Sequence, residues 1–167
     1  MNEKDFMEEY NTIFERSLIF SIISRAMGLV SLENLLDKDK YNQRDIFEYG
    51  MRLILDAKVP ELTEKIFNNL INLETDKERK ILKNMQKEAV LSIQKGTNTE
   101  ELMLILNSYV NIDLDKATEK FNEINEFINK VLAEVFPDRK VDYMEMYQKF
   151  ADKVVNEYFK GKKGTGD

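Results

Sequence analysis

Apolar side chains recur at steps of three and four along nearly the whole chain, and nowhere do they alternate as the faces of a strand would. Phe6, Tyr10, Ile13, Phe14, Leu18, Ile22 and Ile23 form the first such series and predict a helix over residues 2–36. The polar run "DKDKYNQRD" then interrupts it and ends in Asp45, a residue type suited to N-capping. Phe47, Met51, Ile54 and Leu55 predict a second helix over residues 46–56. Pro60 disfavours helical geometry at Val59 and suits the first turn of a third helix. That helix carries Leu62, Ile66, Phe67, Leu70 and Leu73. It is expected to run on through "ETDKERK" into Ile81, Leu82, Met85, Val90 and Ile93. In "QKGTNTEE", Gly96 suits a C-cap and Asn98 or Thr99 the N-cap of a helix over residues 100–109. Two more helices are predicted over residues 113–135 and 141–159, separated by "FPDRK". Residues 161–167, rich in glycine and without apolar groups, read as a disordered tail. The pattern as a whole predicts an all-α protein of about six helices.

Composition narrows the chemistry. A chain of 167 residues is long enough for one well-buried core and short for two ordinary domains. Its net charge of -6 argues against nucleic acid as the main partner, because phosphate binding needs clustered Lys and Arg. The absence of cysteine excludes disulfides, thiolate metal sites and cysteine nucleophiles. The absence of histidine removes the commonest general acid/base and metal ligand. The most apolar run, "LIFSII", is flanked by Arg16 and Arg25 and is far shorter than the roughly 20 residues of a membrane span. The acidic start, "MNEKDFMEEY", lacks the plan of a signal peptide. A cytoplasmic protein with no direct membrane insertion is expected.

Candidate catalytic groups are few. Glu119, Glu123 and Glu126 share one helical face and Glu61 and Glu64 another, the arrangement from which a carboxylate–metal site could be built. Such spacings are common on solvated faces, no basic cluster for a substrate phosphate accompanies them, and no Gly-rich phosphate loop is present. A non-enzymatic protein with no cofactor and no metal is therefore expected. The last helix is rich in large side chains: Tyr143, Met144, Tyr147, Phe150, Val154, Tyr158 and Phe159. One core stripe accounts for about half of them, and the rest could cover a neighbouring helix or a partner.

The stretch "SRAMGLVSLE" stands apart. On one continuous helix Arg25 and Glu33 would be separated by about 12 Å of rise and roughly 80° of rotation. That puts both on broadly the same side, too far apart to neutralise each other. Positions 21, 22, 28 and 29 offer Arg25 no acid, and positions 29, 30, 36 and 37 offer Glu33 no base. Gly28 between them costs a helix interior about 0.5–1 kcal/mol and would let another backbone approach. A bipolar contact patch is one reading. Two hydrated charges, with Gly28 packed against a helix of the same fold, is the other.

These residues resemble the first cytoplasmic segment of the MotA family of flagellar stator proteins, where an Arg-x-x-Gly pattern leads to Leu-Glu. Arg25, Gly28, Leu32 and Glu33 fall on it. "IFEYGMRLILDAKVPEL" is similar to the family's next stretch, with Phe47, Gly50, Leu53, Asp56, Pro60 and Glu61 matching. Ala57 replaces the expected glycine, which implies a differently built turn. "NLINLETDKERK" resembles the helix that leads to the family's third membrane span, and the spans themselves are absent. The segment that follows the fourth span is matched by Ile93, Gln94, Gly96, Asn98, Leu106, Ser108 and Tyr109, with Thr99 in place of a proline.

The resemblance implies a MotA-cytoplasmic-like helical body over residues 1–110, joined without the membrane part. Residues 111–160 would form a C-terminal helical extension packed on it. It further implies a flagellar-motor-associated protein that binds a FliG-like rotor protein or another motor component through Arg25, Gly28 and Glu33. Without the spans, such a chain cannot conduct ions by itself. The alternative is a cytoplasmic helical scaffold or self-assembling homo-oligomer that has no motor role.

Overall fold

The computed structural model describes residues 1–37, 41–136 and 143–161. The first helix, α1 (Glu3–Met27), starts where the Asn2 side chain accepts the Asp5 N–H at 2.8 Å. From Ser17 to Ile23 every residue of α1 is buried, so this stretch is enclosed on all sides rather than presenting one apolar face. Its two serines there are satisfied internally: Ser17 Oγ donates to the Ile13 carbonyl at 2.6 Å, and Ser21 and Thr99 share a hydroxyl hydrogen bond of 2.7 Å. The helices over residues 77–95, 99–108 and 114–135 pack directly on α1.

The expected first helix does not reach residue 36. It stops at Gly28, which has φ +88° and ψ 161°, a region that only glycine enters readily. The chain then turns as a 3-10 segment, Leu29–Leu35, which packs back on α1 with Leu32 fully buried. Gly28 is therefore a helix terminator, and the local helical cost argued from sequence does not apply to it.

Six more α-helices follow: α2 (Ile46–Leu55), α3 (Pro60–Leu73), α4 (Lys77–Lys95), α5 (Thr99–Ser108), α6 (Leu114–Val135) and α7 (Tyr143–Val154). No strand occurs among the described residues. Asp45, Asp76, Asn98 and Asp113 each accept a backbone N–H as N-caps of α2, α4, α5 and α6. Gly96 closes α4 in the left-handed conformation, as its position predicts. The helix expected to run on from Pro60 into Ile93 is two helices. Glu74 leaves helical geometry and Asp76 starts α4 by accepting the Arg79 N–H at 2.9 Å.

Side-chain links set the packing directions. The N-terminal ammonium meets Asp76 at 3.4 Å at the start of α4, and Arg25 reaches the Gly96 carbonyl at its end, so α1 and α4 run parallel. Arg16 holds α2 to α1 through Asp45 at 2.7 Å, lies 3.8 Å from buried Glu48, and stacks over the Phe47 ring. Helices α2, α3 and α4 meet at Gly50. An added Cβ there would come within 2.8 Å of both the Phe67 ring and Val90.

The face α3 buries differs from the expected one. Thr63, Phe67 and Ile71 point inward, whereas Leu62 is exposed and Leu73 is 78% exposed. The apolar arc of α3 is wider than the contact with α2 and α4 can cover.

The C-terminal segment is part of the same core. α6 lies against α1, with Lys120 paired to Glu15 at 2.7 Å, and α7 folds back on α6 and covers the 3-10 segment. Lys153 of α7 pairs with Glu134 of α6. Met146, Phe150, Val154 and Tyr158 form the buried stripe of the last helix, with Tyr147 and Phe159 half-buried. A stripe spaced by fours drifts on a helix of 3.6 residues per turn. The wider π-helical turn Val155–Lys160 keeps Tyr158 against Phe127. The side chains of Tyr143 and Met144 and the tail from residue 162 lie outside the described residues. Among the described residues, no helix is long and apolar enough to cross a membrane.

Candidate functional site

The surface around Gly28 is made where α1 ends beside the end of α4. α1 hands the chain to the 3-10 segment there, while Gln94 of α4 donates to the Lys58 carbonyl in the α2–α3 turn at 2.9 Å. Helix C-termini concentrate unsatisfied carbonyls and partial negative charge. Arg25, in the last turn of α1, answers this: its Nη1 donates to the Gly96 carbonyl at 2.5 Å. Among the described residues no acid lies within ion-pair reach of Arg25. Its guanidinium has five donors, and the one described bond uses a single one of them. It remains exposed.

Glu33 is not isolated. Its Oε1 meets Nη1 of Arg52 at 3.5 Å, and the pair joins a side chain 54% exposed to one only 7% exposed. Arg52 lies 19 residues along the chain on a different helix, beyond the positions that helical spacing places beside Glu33. The expected picture of two unneutralised charges on one straight helix is thus corrected twice: the helix ends between them, and Glu33 has an internal partner. What remains is that both charges face outward. Gly28 between them is exposed with nothing within 4 Å of where a Cβ would stand, so it does not pack against a helix of its own fold. Val30, 65% exposed, sits in the same stretch.

Sequence reading missed Arg52, the Gly96 carbonyl and Val30. The one signal for Arg52 was a lone base within the otherwise apolar "GMRLIL". The carboxylates weighed for metal binding, Glu61, Glu64, Glu119, Glu123 and Glu126, all stand exposed. Among the described residues no group of three or more acidic side chains is arranged to hold a metal ion. No protein-family model, curated protein or solved structure matches the chain.

Proposed function

We propose that the protein is a non-enzymatic binding module whose contact surface is the outward stretch from Arg25 to Glu33. The observation that carries this reading is that two exposed charges of opposite sign, an open glycine and an exposed valine fall within one short stretch where α1 ends and the chain turns. Each charge is also tethered on one side to its own chain. Tethering limits side-chain freedom before a partner arrives and so lowers the entropy lost on binding. The resemblance to the MotA family supplies the specific form of the proposal. The partner is a FliG-like rotor protein or another motor component, met at the cytoplasmic face of a flagellar motor. Charges on such a surface steer and orient the partner, and their effect weakens with salt.

The test is the affinity for a rotor or motor fragment. Arg25→Glu leaves the Glu33–Arg52 pair in place and should abolish binding with helical content unchanged. Glu33→Gln should weaken it less. Wild-type binding by Arg25→Glu would remove this surface from consideration.

A second reading, a self-assembling scaffold, is favoured by the outward apolar stripe of α3. Light scattering on the purified chain separates the two. The scaffold reading requires an oligomer without any partner, dispersed by Leu62→Asp combined with Leu73→Asp.

A further inference from the structure

A groove of about 850 Å³ runs between the N-terminal half of α1 and the start of α4, and the start of α2 also borders it. Its charges are sorted by sign. The α1 wall presents Asp5, Glu8 and Glu9, which a period of 3.6 residues places along one ridge of that helix. The α4 wall presents Arg79 and Lys83, and Arg44 stands just before α2. Ile46 and Leu82 are already buried by the chain itself, so the groove offers a new neighbour mainly its charged rims.

The inner charges are matched within the chain: Arg16 meets Asp45 at 2.7 Å and Lys83 meets Glu74 at 2.9 Å. The outer ones are not. Among the described residues Glu8, Glu9, Arg44 and Arg79 make no ion pair, and the Asp5 carboxylate accepts only from the neutral Asn2 side chain. All five are exposed. A uniformly acidic partner would be repelled by the α1 rim and a uniformly basic one by Arg44 and Arg79. The face therefore fits a surface that carries both signs in the reverse order. Turned by 180° about an axis through the groove, the same face is such a surface.

We propose that two copies of the chain pair through this groove, the acidic α1 ridge of each lying along the Arg44 and Arg79 side of the other. A two-fold contact uses one patch on both copies, so each complementary contact is made twice. With a net charge of -6 the copies repel one another at long range, and this face supplies the local attraction that orients them. The groove lies about 25 Å along α1 from Arg25, at 1.5 Å of rise per residue, and includes neither exposed leucine of α3. The pairing is thus separate from both readings above.

Sedimentation equilibrium on the full chain tests it. The chain should dimerise at about 50 mM salt, and about 500 mM salt should raise the dissociation constant at least about tenfold. Glu8→Lys with Glu9→Lys sets like charges against each other, and so does Arg44→Glu with Arg79→Glu. Each double variant alone should be monomeric, with helical content unchanged because the substituted side chains are exposed. Mixed one to one, the two variants should dimerise again, since both contacts then join opposite signs. Leu62→Asp combined with Leu73→Asp should leave the dimer intact. The proposal fails if the wild type stays monomeric up to about 0.5 mM at low salt. It also fails if either charge-reversed variant dimerises alone, or if the mixture of the two folded variants stays monomeric. A dimer dispersed by the α3 substitutions and not by charge reversal overturns it in favour of the α3 stripe.

Discussion

Two residues with positive φ carry opposite consequences. Gly28 sits at φ +88° and ψ 161°, where any Cβ is strained by about 1–3 kcal/mol although the space around it is open. Ala57 sits at φ +59°, a left-handed conformation that costs an L-residue roughly 1–2 kcal/mol and a glycine almost nothing. Gly28→Ala should therefore lower the stability by about that amount and Ala57→Gly should raise it, by up to about 1 kcal/mol after the added freedom of the unfolded chain. Urea denaturation measures both, and a stabilised Gly28→Ala would show that the helix can continue through this position. The turn at Ala57 thus has the left-handed backbone that a glycine would favour.

At the scale of elements, α1 and α3 show what periodicity conveys and what it leaves open. The spacing identified both as helices, but α1 is buried all round between Ser17 and Ile23, and α3 turns part of its apolar arc to solvent. A helix's wheel does not state how many neighbours it will have. α3 offers a sharp comparison two residues apart: Ile71→Ala should cost about 2–5 kcal/mol by opening the core, whereas Leu73→Lys should change the stability by less than about 0.5 kcal/mol. A large loss for Leu73→Lys would mean that the stripe is covered in solution, which would favour the self-assembly reading. The missed break between α3 and α4 was legible in retrospect. Asp76 is followed by helix formers and is a strong N-cap type, outweighed in the reading by the continuing apolar period.

For the whole molecule, one core runs from Tyr10 to Tyr158, and the segment after residue 110 supplies Ala117, Ile124, Ile128 and Val131 to it. A fragment of residues 1–110 would expose the side of α1 that α6 covers. It should show no cooperative thermal transition by circular dichroism, whereas a sharp melt would make the C-terminal helices a dispensable addition. Alkaline pH tests the same core. Burial raises Tyr10 to about 12, and Tyr158 is raised by burial and by Glu15 beside it. Both groups hold their protons more tightly folded than unfolded. Their contribution is therefore complete below about pH 10 and is lost as pH rises through the folded values. Melting temperature should fall above pH 10, and the part of the phenolate absorbance that Tyr10→Phe and Tyr158→Phe remove should appear with unfolding rather than before it.

Helix identity, the caps at Asp45 and Gly96, Asn98 as one of two cap candidates, and the bounds of α5 and α6 to within about a residue were readable from the chain alone, because each depends on residues within a turn or two of one another. The outward Arg25 and Glu33 were readable as types. Their partners were not: Gly96 and Arg52 come to them only through the parallel packing of α1 with α4 and the seating of α2 beneath the 3-10 segment. The groove bordered by α1, α2 and α4 is likewise a product of three elements meeting. Local physics specified the pieces, while long-range packing decided which polar groups found a partner and which were left without one.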